Sequence, residues 1–207
     1  MSAECPLWVT GLAKGSFDFV ICFQYRSDAI RVQDALRLRL GKYGLTLEPT
    51  KTKLVEFGRF AQKHAGKRGR NRPETIYFLG LTLYCTRNRK GNFQVGMRTE
   101  KSRLRRSLTS LQELMRRIRH HTISEQAGEI NAVLRGHYAY YGVAGNLRSL
   151  VKVYRVVERY WRRMLCSRSW AGRRLTWDAF NRIKERTPLL TPKLRLPYRE
   201  LQALAVL

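Results

Sequence analysis

The sequence predicts an α+β chain, with short strands and one helix first and helices packed on one another afterwards. Three observations carry that reading. Short apolar runs rich in aromatic and β-branched residues lie at 17–23 (FDFVICF), 54–57 and 76–84 (IYFLGLTLY). From Arg98 the apolar period becomes helical, with Leu104, Leu108, Leu111, Met115 and Ile118 on one stripe. Of the 207 residues, 43% are hydrophobic and 11% aromatic, enough for a core and unlike a disordered basic tail.

In chain order, residues 1–15 carry no usable period. The run 17–23 reads as a buried strand with Asp18 inside it. Ser27 is placed to cap a helix through Leu40 that buries Ala29, Val32, Leu36 and Leu40, with Gly41 and Gly44 as its stop. Residues 54–57 form a short strand. Residues 59–73 hold six Lys/Arg, no acid and two glycines, the composition of a loop that orders on a polyanion. Residues 76–84 read as one strand, and 93–97 pairs back after the turn-rich stretch 86–92.

The helical half follows. Thr122 and Glu125 have capping-box spacing for a second helix, whose inner face is Ile130, Val133, Leu134, His137 and Tyr141, with Gly142 and Gly145 at its end. Asn146 is placed to cap a third helix buried through Leu147, Leu150, Tyr154, Val157, Trp161 and Leu165. Beyond Ser169 a Trp/Arg-rich segment runs into a tail bearing Pro188, Pro192 and Pro197, with little regular pattern until ELQALAVL at 200–207.

Charge points to the partner. The chain has 41 Lys+Arg against 15 Asp+Glu, a formal net charge of +26. Such a surplus repels itself unless a polyanion neutralises it, and neutralised phosphates release counterions. A nucleic acid is therefore the expected partner. A membrane is not, because no apolar run reaches the ~20 residues of a span and no signal-peptide pattern opens the chain. A cytoplasmic, intracellular protein with no small-molecule substrate is expected. The four cysteines, Cys5, Cys22, Cys85 and Cys166, lie too far apart for a zinc knuckle and read as small buried hydrophobes.

The sharpest binding signal is on the third helix. Arg148, Lys152, Arg155, Arg159 and Arg162 recur at alternating i+4 and i+3 spacing, opposite the apolar stripe. Only Glu158 interrupts them, whereas an ordinary solvated face mixes signs. Between residues 98 and 175 stand 18 Lys/Arg and 5 Asp/Glu. Arginine dominates, which suits bidentate phosphate contacts and stacking on splayed bases. Further candidate contacts are Lys67, Arg68 and Arg70 in the basic loop, Arg103, Arg106 and Arg135 on the earlier helices, and His137 with Tyr138. Tyr138, Tyr140 and Tyr141 are equally well explained as stacking platforms or as core.

At residues 134–150, LRGHYAYYGVAGNLRSL, the chain resembles the thumb, or maturase X domain, of group II intron reverse transcriptases. Upstream, FDFVICF with DAIRVQDALRLRLGKYGLTLEPTKTKLVEFGR resembles the end of that family's palm, including its Lys-Thr pair at Lys51 and Thr52. YFLGLTLY resembles its Phe-Leu-Gly strand, and GNFQVGMRTEKSRLRRSL its entry to the thumb. The match runs from about residue 17 to about residue 192, and the ordered set is more specific than any single motif. It implies residues 1–15 as an unmatched segment, 16–97 as a truncated palm, 98–168 as an all-α three-helix thumb and 169–207 as a tail. It implies RNA as partner, group II intron RNA first and DNA second, and places Lys51 near an incoming nucleotide.

The departures bear on catalysis. The family's palm strand carries two adjacent aspartates that serve Mg²⁺; here the second stands as Asp18 and the first is replaced by Phe17. Nucleotidyl transfer needs two metal ions about 4 Å apart, held by several carboxylates. The single Asp18 is insufficient, so no cofactor is expected on this chain although Mg²⁺ serves the intact family. Fingers and most of the palm are absent from the match. The expected function is an RNA-binding maturase fragment that aids splicing or mobility without polymerising. The alternatives are an RNA-directed DNA polymerase subunit completed by a separate fingers/palm chain, and a generic basic nucleic-acid-binding protein.

Overall fold

The computed structural model describes residues 7–10, 19–48 and 52–204. It is α+β, and the chain divides into two units, Met1–Met97 and Arg98–Leu207.

The first unit holds two three-stranded sheets. In one, β1 (Leu7–Thr10) lies between β2 (Ile21–Phe23) and β3 (Val55–Phe57), antiparallel to both, with Val9 opposite Cys22 on one side and Val55 on the other. A strand thus forms within the stretch for which the sequence shows no period: four residues are too few to display one. The expected 17–23 strand is shorter, starting at Ile21. It is only half-buried and Cys22 is exposed. Phe17 and Asp18 lie outside the described residues.

Helix α1 (Arg26–Gly41) begins one residue before Ser27, with Tyr25 at its N-cap and no side-chain cap bond. Ala29 is its one fully buried residue; Gln33, Leu36 and Leu40 are half-buried, and Val32 faces solvent. Strand β3 is buried throughout and carries Glu56 into the interior. That carboxylate explains why the basic stretch after it is not the loop its composition predicts. Residues 61–67 form helix α2 (Ala61–Lys67), which turns Ala61 and Ala65 inward. From the same helical turn His64 Nδ1 and the Arg68 guanidinium both bind Glu56. A buried carboxylate must be paired, and the pairing pins the helix to the strand.

The second sheet has the order β4 (Ile76–Phe78), β5 (Leu81–Arg87), β6 (Phe93–Thr99). The run 76–84 is therefore two antiparallel strands. Phe78 pairs with Leu81 around a two-residue turn in which both Leu79 (φ 47°) and Gly80 (φ 72°) are left-handed. That geometry suits strand twist, and glycine supplies half of it freely; leucine does not. The expected 93–97 strand forms and is longer. At Gly96 a Cβ would meet the Tyr84 ring at 2.4 Å, so the ring occupies the space a side chain would take.

The second unit is a helical core. Helices α3 (Lys101–Arg117), α4 (Ile123–Tyr141) and α5 (Leu147–Cys166) bury Leu111, Met115, Ile118, Ile130, Leu134, Leu150, Val153, Val157 and Trp161. The capping box forms in both directions between Thr122 and Glu125. Two details differ from the helical wheel. Val133 and Leu147 are exposed, while Tyr138, Val153 and Met164 are inside, because the flanking helices select the buried arc. Asn146 stands at the N-cap position of α5 as expected, but its side chain makes no cap bond. Fully buried, its Oδ1 accepts from the Thr99 N–H at 2.8 Å and its Nδ2 donates to Tyr141 O at 2.8 Å. One amide thus joins the entry of α3, the exit of α4 and the start of α5. Gln126 does similar work, donating to Arg119 O and His121 O while accepting from the Trp161 indole at 2.9 Å.

The tail is part of this core. A 3₁₀ turn at Ala171–Arg174 leads to α6 (Trp177–Arg186), capped by Thr176, and α7 (Tyr198–Leu204) follows the prolines. Phe180 and Leu189 join the central cluster. Asn131 on α4 brackets the tail, accepting from Leu190 N–H at 2.7 Å and donating to Pro188 O at 2.9 Å. Gly142 accepts from the N–H groups of Arg195 and Leu196, and a Cβ there would meet Arg195 N and Lys193 O of the tail at 3.3 Å and Tyr138 O of α4 at 2.3 Å.

Candidate nucleic-acid interface

The packing of α5 sets the direction of its charges. Leu150, Val153, Val157, Trp161 and Met164 face the core at helical spacing, so Arg148, Lys152, Arg155 and Arg159 project to solvent on the other side. At 1.5 Å per residue the four span about 16 Å of helix axis. None makes an ion pair among the described residues. Glu158, the one acid on α5, is turned away and paired with Lys184 of α6. This pairing is invisible in sequence, since the partners lie 26 residues apart. It leaves the stripe without an internal counter-charge.

Arg162 leaves the set. It is half-buried, one of its terminal nitrogens donates to Leu175 O at 2.6 Å, and its guanidinium lies 4.5 Å from the centre of the Trp177 ring. The spacing that places it on the stripe cannot reveal that α6 covers this end of the helix. Arg103, Arg106 and Arg135 are exposed on their own helices. Arg116 is engaged, donating to the Tyr160 hydroxyl at 2.6 Å.

His137 and Tyr138, candidates for RNA contact that the helical pattern also allows as core, are both buried. The rings of His137 and Tyr141 are 4.8 Å apart. Burial holds the His137 imidazole below the ordinary histidine range and pushes the Tyr138 phenol up. Both residues pack the helical unit. Tyr140 is exposed beside them.

In the first unit, Lys67 is exposed at the end of α2. Arg68 and Arg70 are paired, with Glu56 and with Glu74. These three line a pocket of about 610 Å³ together with Arg26 and His64, and the two glutamates stand in its wall. The two glutamates answer Arg68 and Arg70, half of the four arginine and lysine charges in its wall. Asp18 and Lys51 lie outside the described residues. Among the described residues no three His, Cys, Asp or Glu side chains converge as a metal site. No described helix is long and apolar enough to cross a membrane. No protein-family model, curated protein or solved structure matches the chain.

Proposed function

We propose that this chain is an RNA-binding protein of the group II intron maturase type, a partial palm followed by a thumb, which holds intron RNA to assist splicing or mobility and does not polymerise. The observation that carries the reading is the row Arg148, Lys152, Arg155 and Arg159 on α5, four exposed cations whose one acidic neighbour is paired elsewhere. A helix face of this kind meets phosphates as a fixed array and gains from counterion release. The choice of intron RNA rests on the ordered sequence resemblance, and it goes with a cytoplasmic, intracellular setting. Phe17 in place of the family's first palm aspartate argues against a polymerase even if a second chain supplied the rest.

The test is binding to a structured group II intron RNA and to a length-matched control duplex across a salt series. A preference for the intron RNA that survives moderate salt supports the reading. Equal affinities falling together with salt reduce it to a generic polycation. Arg155→Ala with Arg159→Ala is expected to shrink the slope of log K against log salt by about 2, from roughly 0.9 per phosphate contact. An unchanged slope removes the α5 stripe from the interface.

A further inference from the structure

We infer that the first unit carries a second nucleic-acid site, a cleft between α2 and the β5–β6 hairpin that takes a single-stranded stretch of RNA. It extends the reading above to another surface, and it rests on that reading only for the choice of RNA as the polyanion.

The cleft encloses about 1020 Å³ and is built from residues 58–63 on one side and 85–93 on the other. Three properties set its chemistry. First, Arg59, Lys63 and Arg87 line it, all exposed, and no aspartate or glutamate does. None of the three has an ion-pair partner among the described residues, in contrast to Arg68 and Arg70 on the other side of α2. Secondly, two phenylalanine rings share the wall with them. Phe93 is 37% exposed and is held edge-on by Phe57 of β3, with centroids 6.5 Å apart. Phe60 carries the Arg59 guanidinium 5.8 Å from its ring centre. Thirdly, the remaining polar groups are neutral, Gln62, Thr86 and Asn92.

Cations that meet phosphates, rings that meet base faces and amides that meet base edges are the components of a single-strand platform. A duplex would offer the rings nothing, because its bases are already stacked. A free small anion would leave the rings unused, and the volume lies at the upper limit of small-ligand sites.

The experiment uses the full chain and a short oligouridine carrying 4-thiouridine, with a blunt RNA duplex of equal length as control. Ultraviolet cross-linking at moderate salt should place the oligouridine on peptides containing Phe60 or Phe93. Cross-links confined to the helical unit overturn the proposal. The triple variant Arg59→Ala, Lys63→Ala, Arg87→Ala alters only exposed side chains and so keeps the fold. It should lower oligouridine affinity at least tenfold and shrink the salt slope by about 2, from roughly 0.7 per single-strand phosphate. Phe93→Leu keeps an apolar group against Phe57 and should weaken oligouridine about tenfold while duplex binding stays within twofold. Equal weakening of both probes, or of neither, overturns the single-strand assignment. The two RNA surfaces fail separately. An unchanged salt slope for intron RNA in the Arg155/Arg159 variant removes the α5 reading and leaves the cleft standing. Unchanged oligouridine affinity in the triple variant removes the cleft and leaves the α5 reading standing.

Discussion

Two single residues show where conformation and polarity are decided locally. Leu79 holds a left-handed backbone at the first position of the β4–β5 turn. A branched side chain there is strained by about 1 kcal/mol or more, whereas asparagine tolerates the region. Leu79→Asn should therefore raise stability by about 1 kcal/mol, read as a shift of the urea midpoint of the first unit. A lower midpoint would mean that the exposed leucine packs better than its strain costs. Asn146 is the opposite case, a buried amide whose donors and acceptor are all used. Asn146→Ala would strand the buried Thr99 N–H, at about 1–3 kcal/mol for an unsatisfied group, while the Tyr141 carbonyl keeps the Val143 N–H at 2.8 Å. A loss of that size in equilibrium unfolding of the helical unit is expected. Loss of less than about 1 kcal/mol would show that water replaces the amide.

At the scale of elements, α4 and α5 each carry a polar residue that responds to the medium. On α4, burial holds the His137 imidazole below its ordinary value. The unfolded chain therefore binds the proton more readily than the native one. The sign follows: the neutral imidazole's full contribution is present above the unfolded value of about 6.5 and declines as pH falls through it toward the lowered native value. Melting of the helical unit should move to lower temperature between neutral and mildly acid pH. His137→Leu should flatten that part of the dependence, and an unaltered profile would assign it to other groups. On α5 the cations face water and are read by salt rather than by pH, since arginine stays charged throughout. The basic stretch 59–73 shows how an element escapes composition. Its charge suggests a loop, yet Glu56 on the preceding strand gathers His64 and Arg68 and supports α2. Periodicity could not signal a helix of seven residues whose inward face is two alanines.

For the molecule as a whole, the boundary after Met97 separates a sheet-based unit from a helical one. The helical unit cannot be ended at its third helix. Phe180 and Leu189 sit in its core, and residues 188–196 bond to Asn131 and Gly142. Each fully buried side chain of that size contributes about 1.5–3 kcal/mol, and the whole of a domain's stability is about 5–15 kcal/mol. A chain ending at Ser169 should therefore lose cooperative unfolding of the helical unit, seen as a broad, non-sigmoidal melt in circular dichroism. A sharp transition at the original temperature would show that the tail is dispensable.

By itself the sequence determined the class α+β, the change of character near residue 98, the three long helices with most of their inner faces, and the Thr122–Glu125 box. Each of these is a short-range pattern, an apolar period or a cap, that the backbone obeys wherever the chain goes. It also determined the excess of positive charge and its regular spacing along α5. Only the tertiary structure decided which charges remain free: Arg68 and Arg70 are answered by Glu56 and Glu74, Glu158 by Lys184, and Arg162 is covered by Trp177. Tertiary packing also placed His137 and Tyr138, each of which the sequence offers both as an RNA contact and as core, inside the core, and gathered Arg59, Phe60, Lys63, Arg87 and Phe93 around one cleft. The physical reason is common to all of them. Pairing and burial depend on what distant segments bring within a few ångströms, and Coulomb attraction and desolvation act over that distance whatever the separation along the chain.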